Sequence, residues 1–294
     1  MSITSTLKFI IDHPLNKGHK LEAIARFIQW QVRSRLNPKP LVHTFTEKSK
    51  IFIEKGMTGA TGNLYCGLHE FNDMGFLLHF LRKDDLFVDV GANIGSYTIL
   101  ASAHSGAHSI SFEPLPDTFE KLKNNISLNR ISENVKAFNI ALGSQAGVLQ
   151  FTTTLDTMNH IAIDTQDEVV TVKVNTLDEI LNANTVAPIL MKIDVEGFET
   201  EVIKGALKSM KDSGLKAIII ELNGSGTRYG YDEKDIHQSL LDVGFSPYTY
   251  DPFSRKLTSV NLFGSLNTIY IRDFDFVQER LKKAEKVKIL KQEF

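Results

Sequence analysis

From Leu86 onward the chain alternates short apolar runs with helix-length segments, and this alternation restricts the fold more than any other feature. Phe87-Val88-Asp89-Val90 is the first run and ends in a glycine. Ser109 to Glu113 is the second, Val135 to Leu142 the third, Ile189 to Val195 the fourth and Lys216 to Leu222 the fifth. Helix-like stretches separate them, notably Thr118 to Asn129 and Glu199 to Met210. Near-continuous apolar strands are buried on both faces, so the pattern predicts an α/β fold, a parallel sheet covered by helices. Between the third and fourth runs, Gly147 to Thr153 and Glu168 to Val174 alternate polar with apolar residues, which suits an antiparallel hairpin inserted near 147–175. A helix from Asp232 to Asp242 and two closing strands near Tyr248 and Thr268 follow. The Lys- and Glu-rich end, 276–294, reads as a solvated C-terminal helix.

Residues 1–84 read as a helical and hairpin cap in front of a main domain at 85–275. Leu21, Ile24, Ile28 and Val32 recur at three- and four-residue spacing among Lys20, Arg26, Arg33 and Arg35, which predicts a basic amphipathic helix. Pro38-Lys39-Pro40 ends it. Such a helix packs on its own domain, on a second subunit or on a membrane surface, the first two more commonly; a homo-oligomer is therefore left open. Residues 41–54 suggest two short strands around Glu47-Lys48-Ser49, and four glycines follow at 56, 59, 62 and 67. Glu70 to Arg82 reads as a helix with Phe71, Met74, Leu77, Leu78 and Leu81 inward.

Charge and composition exclude several classes. The 33 basic and 35 acidic side chains give a net charge of -2, without the basic excess that neutralises phosphates, so no nucleic-acid partner is expected. No window approaches the ~18 apolar residues of a membrane span. The apolar run Phe9 to Ile11 is broken by Asp12-His13-Pro14, unlike a secretory signal. The single cysteine, Cys66, excludes an intrachain disulfide and a multi-cysteine zinc site, and a cytoplasmic location is expected.

The most informative stretch is Asp89-Val-Gly91-Ala92-Asn93-Ile-Gly95-Ser96-Tyr97, where the first strand gives way to a helix. Ligands of open α/β sheets bind at the carboxyl ends of strands, and glycine lets the backbone turn sharply against them. Glu113 ends the second strand about twenty residues on, where a carboxylate can accept from both hydroxyls of a ribose. Asp89 is expected to face a ligand ammonium, and the helix start beyond Gly95 a carboxylate. A nicotinamide dinucleotide would want a glycine where Asn93 stands, because its pyrophosphate approaches the backbone there. S-adenosylmethionine carries ribose and adenine without phosphate, so Asn93 does not obstruct it.

These segments resemble the FkbM family of S-adenosylmethionine-dependent methyltransferases. The resemblance is carried by Phe87-VDVGANIGSYT-Ile99, Phe112-Glu113-Pro114, Asn139-Ile-Ala-Leu-Gly143, Thr176-Leu-Asp178 and Met191-KIDVEGFE-Thr200, across about residues 85 to 225. It implies the seven-stranded, Rossmann-like class I methyltransferase fold. It also implies that Asp89 to Tyr97 line the methionine end, that Glu113 and Pro114 hold the ribose, and that Asn139, Ala141 and Leu142 flank the adenine. The family's acceptors vary, so acceptor identity does not carry over.

Methyl transfer needs the acceptor oxygen aligned with the methyl carbon and sulfur, and a hydroxyl acceptor profits from a general base. The ends of the fourth and fifth strands supply Asp194, Glu196 and Glu221, and the insertion supplies His160 after Met158-Asn159. Each has a plainer reading. Asp194 can bind cofactor or cap the helix after Gly197, and Glu196 or Glu199 can serve that helix's first turn. His160 can be a surface histidine, and Glu221 can be paired internally. The three carboxylates could also gather a divalent cation, but no metal signature accompanies them and a metal is not expected. Cys66, His69 and Glu70 offer too few soft ligands for zinc. With Tyr65 they are expected to line a lid over the acceptor. Asn223, Arg228 and Tyr229, after the fifth strand, are expected to contact a glycan or small-molecule acceptor. The sequence thus points to an O-methyltransferase acting on a sugar or small metabolite and yielding S-adenosylhomocysteine. A nicotinamide-dependent oxidoreductase and a non-catalytic cofactor-binding scaffold are its rivals.

Overall fold

A computed structural model describes residues 3–152, 160–161, 168–181, 186–264 and 266–294. Thr153, and Met158 and Asn159 ahead of His160, lie outside the described residues.

The chain opens with helices α1 (Ile3–Asp12) and α2 (Lys20–Leu36), the hairpin β1 (Leu41–Thr46) and β2 (Ser49–Ile53), and helices α3 (Thr58–Cys66) and α4 (Phe71–Phe80). Then β3 (Leu86–Val90), α5 (Ser96–Ile99), β4 (His108–Phe112), α6 (Pro116–Leu128) and β5 (Val135–Phe138) alternate. Strands β6 (Ala141–Leu142), β7 (Gly147–Thr152) and β8 (Val169–Asn175) form a separate three-stranded sheet. Helix α7 (Leu177–Leu181), β9 (Leu190–Ile193), α8 (Glu199–Lys204), α9 (Leu207–Lys211), β10 (Ala217–Glu221) and α10 (Glu233–Asp242) return to the main sheet. It closes with β11 (Ser246–Asp251), β12 (Lys256–Ser259) and β13 (Asn267–Ile271). Helix α11 (Phe274–Lys282) and the small hairpin β14 (Lys288–Ile289) and β15 (Gln292–Glu293) end the chain.

The main sheet runs β5-β4-β3-β9-β10-β13-β11-β12. Strands β5, β4, β3, β9 and β10 are mutually parallel, and β13 enters antiparallel beside β10. The order reverses between β3 and β9, which puts the switch point of this Rossmann-like sheet at the carboxyl ends of these two strands. Seven strands were expected; the sheet has eight, because β12 folds back antiparallel on β11 and lengthens that edge.

Successive strand residues feed opposite cores, as the pleat requires. Phe87, Leu190 and Ile219 face the layer built from α3, α4, α5 and the N-terminal helices, whereas Val88, Met191 and Ile218 face the layer of α7 to α10. The first of these cores runs without interruption from Ile10 to Phe294, so no break in packing falls at residue 84. Phe76 and Phe80 of α4 stack at 5.3 Å, and Phe76 meets Tyr250 of β11 edge-on.

Three elements differ from the sequence reading. The expected third strand, Val135 to Leu142, splits at Asn139: β5 stays in the main sheet while β6 pairs parallel with β8. The expected helix from Glu199 to Met210 breaks into α8 and α9 around Gly205, where a Cβ would lie 2.0 Å from the Gly143 carbonyl. The expected C-terminal helix at 276–294 ends at Lys282, because the residues beyond have apolar surface to bury: Val287, Ile289 and Phe294 are packed inside and the hairpin delivers them there.

Candidate active site

The turn after β3 is held by its own hydrogen bonds. The amides of Gly91 and Ala92 donate to the Phe112 carbonyl, and the Gly95 amide donates to the Ala92 carbonyl. Asn93 takes a left-handed conformation with φ 51°, and its Oδ1 accepts from the Ile94 amide at 2.7 Å. Gly91, with φ 80°, lies so close to β9 that a Cβ would sit 1.9 Å from the Asp194 carbonyl. The Asp194 amide in turn donates to the Val90 carbonyl. The two strand ends at the switch point are therefore pressed together by a contact only glycine allows.

Asp89 lies inside the molecule at the end of β3. It is 1% exposed and accepts from Thr98 Oγ1 at 2.6 Å, so it fastens α5 to β3 from inside the molecule. Burial raises its carboxyl above the usual range. Beyond Gly95, α5 spans four residues and continues as a π-type turn through His104. Ser96 Oγ instead meets Asn63 Nδ2 of α3 at 3.2 Å.

Glu113 stands at the end of β4, in the expected place. Oε2 accepts from the Asn93 amide and Oε1 from the Leu115 amide, each at 2.9 Å. Burial outweighs those two donors and pushes the carboxyl up to about 7. An ionised carboxylate has about four acceptor positions, of which these two amides take two. Pro114 follows half-buried, and the exposed Asn139 donates from Nδ2 to the carbonyls of Glu113 and Pro114, at 2.9 and 2.8 Å. Ala141 and Leu142 are buried in the apolar packing of β6, which leaves Asn139 as the surface member of that trio.

At the ends of β9 and β10 three half-buried carboxylates converge: Asp194, Glu196 and Glu221 each place an oxygen within 4.8 Å of the others. Glu196 has φ 54° and Gly197 φ 102°, and a Cβ on Gly197 would meet the Ser225 backbone at 2.7 Å. Glu199, buried, accepts the Val195 and Gly197 amides at 3.0 and 3.2 Å and so holds this strained turn open. Burial, then Asp194 and Glu199, push Glu196 up to about 7. Burial, with Asp194 and Glu196 alongside, pushes Glu221 well above the carboxylate range.

The residue that sequence reasoning missed is Lys192. It is 3% exposed, donates to Asp194 Oδ2 at 2.6 Å, and lies 4.7 Å from the centre of the Tyr97 ring. Burial works against its charge, but Asp194, Glu70 and Asp89 outweigh this and hold the ammonium above its usual range. The signal was available: a lysine in the middle of the otherwise apolar β9, Leu-Met-Lys-Ile, has to be paired.

Glu70 joins the same group from outside the sheet, because its Oε2 accepts from the Tyr97 hydroxyl and its Oε1 from Asn267 Nδ2, both at 2.8 Å. Asp73, one helical turn on, is pushed up to about 7 by burial and by Glu70. Tyr65 does not share this place. Its ring is buried and its hydroxyl accepts from Gln31 Nε2 at 3.1 Å, so the expected lid residue belongs to the packing of α2 on α3. Cys66 is buried likewise, beside Asn16. Arg228 Nη1 donates to the Glu196 carbonyl at 3.3 Å, and the Tyr229 ring packs edge-on against Phe198. Arg228 therefore borders the carboxylate cluster. Tyr229 also donates to the Ile161 carbonyl, next to the half-buried His160. Asn223 is exposed and closes its own turn by accepting from the Ser225 amide.

Comparisons with known proteins place the chain among methyltransferases. Residues 89–247 match the family model of the methyltransferase FkbM domain. The hexuronic acid methyltransferase AglP of Haloferax volcanii is 30% identical over 171 residues, 58% of this chain and 67% of that protein. The 31-O-demethyl-FK506 methyltransferase FkbM of Streptomyces tacrolimicus is 29% identical over 171 residues, 46% of this chain and 65% of that protein. Among solved structures, the precorrin-6y C5,15-methyltransferase of Geobacter metallireducens matches with a TM-score of 0.40 and 15% identity, covering 69% of this chain and 88% of that one. That distant likeness adds nothing to the strand order itself. With the glycine turn, the acidic end of β4 and the Lys-Ile-Asp-Val-Glu-Gly turn all inside the matched span, the chain belongs to the FkbM family of methyltransferases.

Proposed function

We propose that the chain is an S-adenosylmethionine-dependent O-methyltransferase whose acceptor is a hydroxyl of a sugar or small metabolite. The observation that carries this reading is the set Asp194, Glu196 and Glu221 at the strand ends beside Gly91, with Lys192 buried under it. The residues present suit the cofactor. Glu113 has acceptor positions left for the ribose hydroxyls, and the turn from Gly91 to Tyr97 offers a backbone surface at the switch point. When bound, S-adenosylmethionine supplies a methyl group already activated on a sulfonium sulfur.

The chain then has to align the acceptor oxygen and receive its proton. Alignment alone is worth about 7–11 kcal/mol of such a barrier. Asp194 is the proton acceptor in this reading, because Lys192 holds it oriented at the strand end. S-adenosylmethionine, held by Glu113 and the turn from Gly91 to Tyr97, would supply the methyl group, and Asp194 would take the proton that the acceptor hydroxyl gives up as it is methylated. Glu221, which burial and its neighbours keep protonated near neutrality, donates to rather than repels an incoming oxygen. Arg228, exposed at the rim, suits an acceptor that carries a carboxylate, and a hexuronic acid is what AglP is named for.

The test is transfer of a labelled methyl group to a panel of neutral and acidic sugars. Asp194→Asn should lower kcat by about 10²–10⁴-fold with little change in cofactor affinity. A variant with unchanged kcat would remove Asp194 from the chemistry. A second reading, in which the three carboxylates gather a divalent cation, is favoured by their 4.8 Å spacing. Activity that chelator abolishes and Mg²⁺ restores would establish it over the metal-free route.

A further inference from the structure

Helix α2 is apolar on two opposite faces. Ala23, Trp30 and Ser34 are buried and Phe27 packs with them against the core. Half a turn away, Leu21 is 84% exposed, Ile28 54%, Val32 52% and Leu36 80%. At about 100° per residue those four aliphatic side chains fall within one narrow stripe, which at about 1.5 Å per residue runs roughly 22 Å along the helix. Of the row read from the sequence, Leu21, Ile28 and Val32 lie outward with Leu36 beyond them, whereas Ile24 is half-buried. A continuous exposed aliphatic row of this kind marks a surface that something covers.

Charge identifies the covering surface. Residues 1–50 contain nine basic side chains (Lys8, Lys17, Lys20, Arg26, Arg33, Arg35, Lys39, Lys48 and Lys50) against Asp12, Glu22 and Glu47, a net +6. With a whole-chain charge of -2, residues 51–294 carry -8. Lys17 and Lys20 stand exposed at the start of the stripe, Arg35 and Lys39 at its end, and Glu22 beside it is neutralised by Lys291 at 2.8 Å. Two such surfaces repel each other, whereas an anionic lipid surface attracts both the charge and the aliphatic row. We propose that α2 docks this protein on anionic membranes, with the Leu21-Ile28-Val32-Leu36 stripe at the acyl boundary and the lysines among the headgroups. Docking of this kind places the protein on a bilayer without crossing it; among the described residues no helix is long and apolar enough to cross.

The experiment is co-sedimentation of the full chain with vesicles of phosphatidylcholine alone or with phosphatidylserine added. Sedimentation should require the anionic lipid and fall about tenfold or more between about 0.1 M and 1 M salt, as the Debye length shrinks from ~10 to ~3 Å. Ile28→Asp with Val32→Asp should abolish it while leaving the melting temperature near that of the parent, because both positions are exposed. Lys17→Glu with Lys20→Glu should weaken it without touching the stripe. Absence of sedimentation with anionic vesicles overturns the proposal, as does binding that survives Ile28→Asp with Val32→Asp. A dimer in solution that this same pair of substitutions converts to monomer also overturns it, by assigning the stripe to a second copy.

Discussion

Lys192 decides how charge is arranged at the strand ends. Glu70, Asp89, Asp194, Glu196 and Glu221 all act on it or on one another, and the ammonium is buried among them. Removing it takes that cation away from Glu196 and Glu221, which disfavours their ionised forms and moves their titration to higher pH. The sign is clear for Glu196, whose carboxyl already stands at about 7 because burial and Asp194 outweigh Lys192 and Arg228. Lys192→Met should therefore move the Glu196 titration upward, and it should lower kcat about 10²-fold or more because Asp194 loses the partner that orients it. A Glu196 titration at the same pH, with kcat unchanged, would reduce Lys192 to a packing residue. Sequence reasoning found the carboxylates because polar residues ending apolar runs stand out. It passed over Lys192, because which face a mid-strand lysine takes depends on neighbours that the strand itself does not name.

At the scale of elements, two turns make the site, and both were legible from their glycines. Gly91 needs a positive φ and an approach that no side chain permits, so Gly91→Ala combines backbone strain with displacement of β9. A cost of about 1–3 kcal/mol for the strained backbone corresponds, in a chain of this size, to a melting temperature lower by roughly 2–5 °C. Loss of S-adenosylhomocysteine affinity should accompany it; a variant with parental stability and affinity would show that the tight contact with Asp194 is not needed. Other breaks were not legible. Gly205 interrupts α8 and α9 because it touches the Gly143 carbonyl, a contact made by the separate three-stranded sheet. Val135 to Leu142 read as one strand because nothing within it reveals that Ala141 and Leu142 find their partner in β8.

For the whole molecule, the alternating β/α pattern was enough to place the switch point, since strands apolar on both faces leave few layer arrangements. The eighth strand was hidden, because β12 is an edge strand with exposed residues and little apolar signature. The two chain ends share one limit: amphipathicity tells that a face exists and not what it meets. At the C-terminus the burial of Phe294 against Phe71 and His79 overrode a solvated helix. At the N-terminus the aliphatic stripe of α2 turned outward. The central claim, a site for S-adenosylmethionine between β3 and β9, is tested most directly by calorimetric titration of the purified chain with S-adenosylhomocysteine, beside NAD. The account predicts one-to-one binding of S-adenosylhomocysteine that Glu113→Ala abolishes, with no heat from NAD. Binding of NAD without S-adenosylhomocysteine, or S-adenosylhomocysteine binding indifferent to Glu113→Ala, would contradict it.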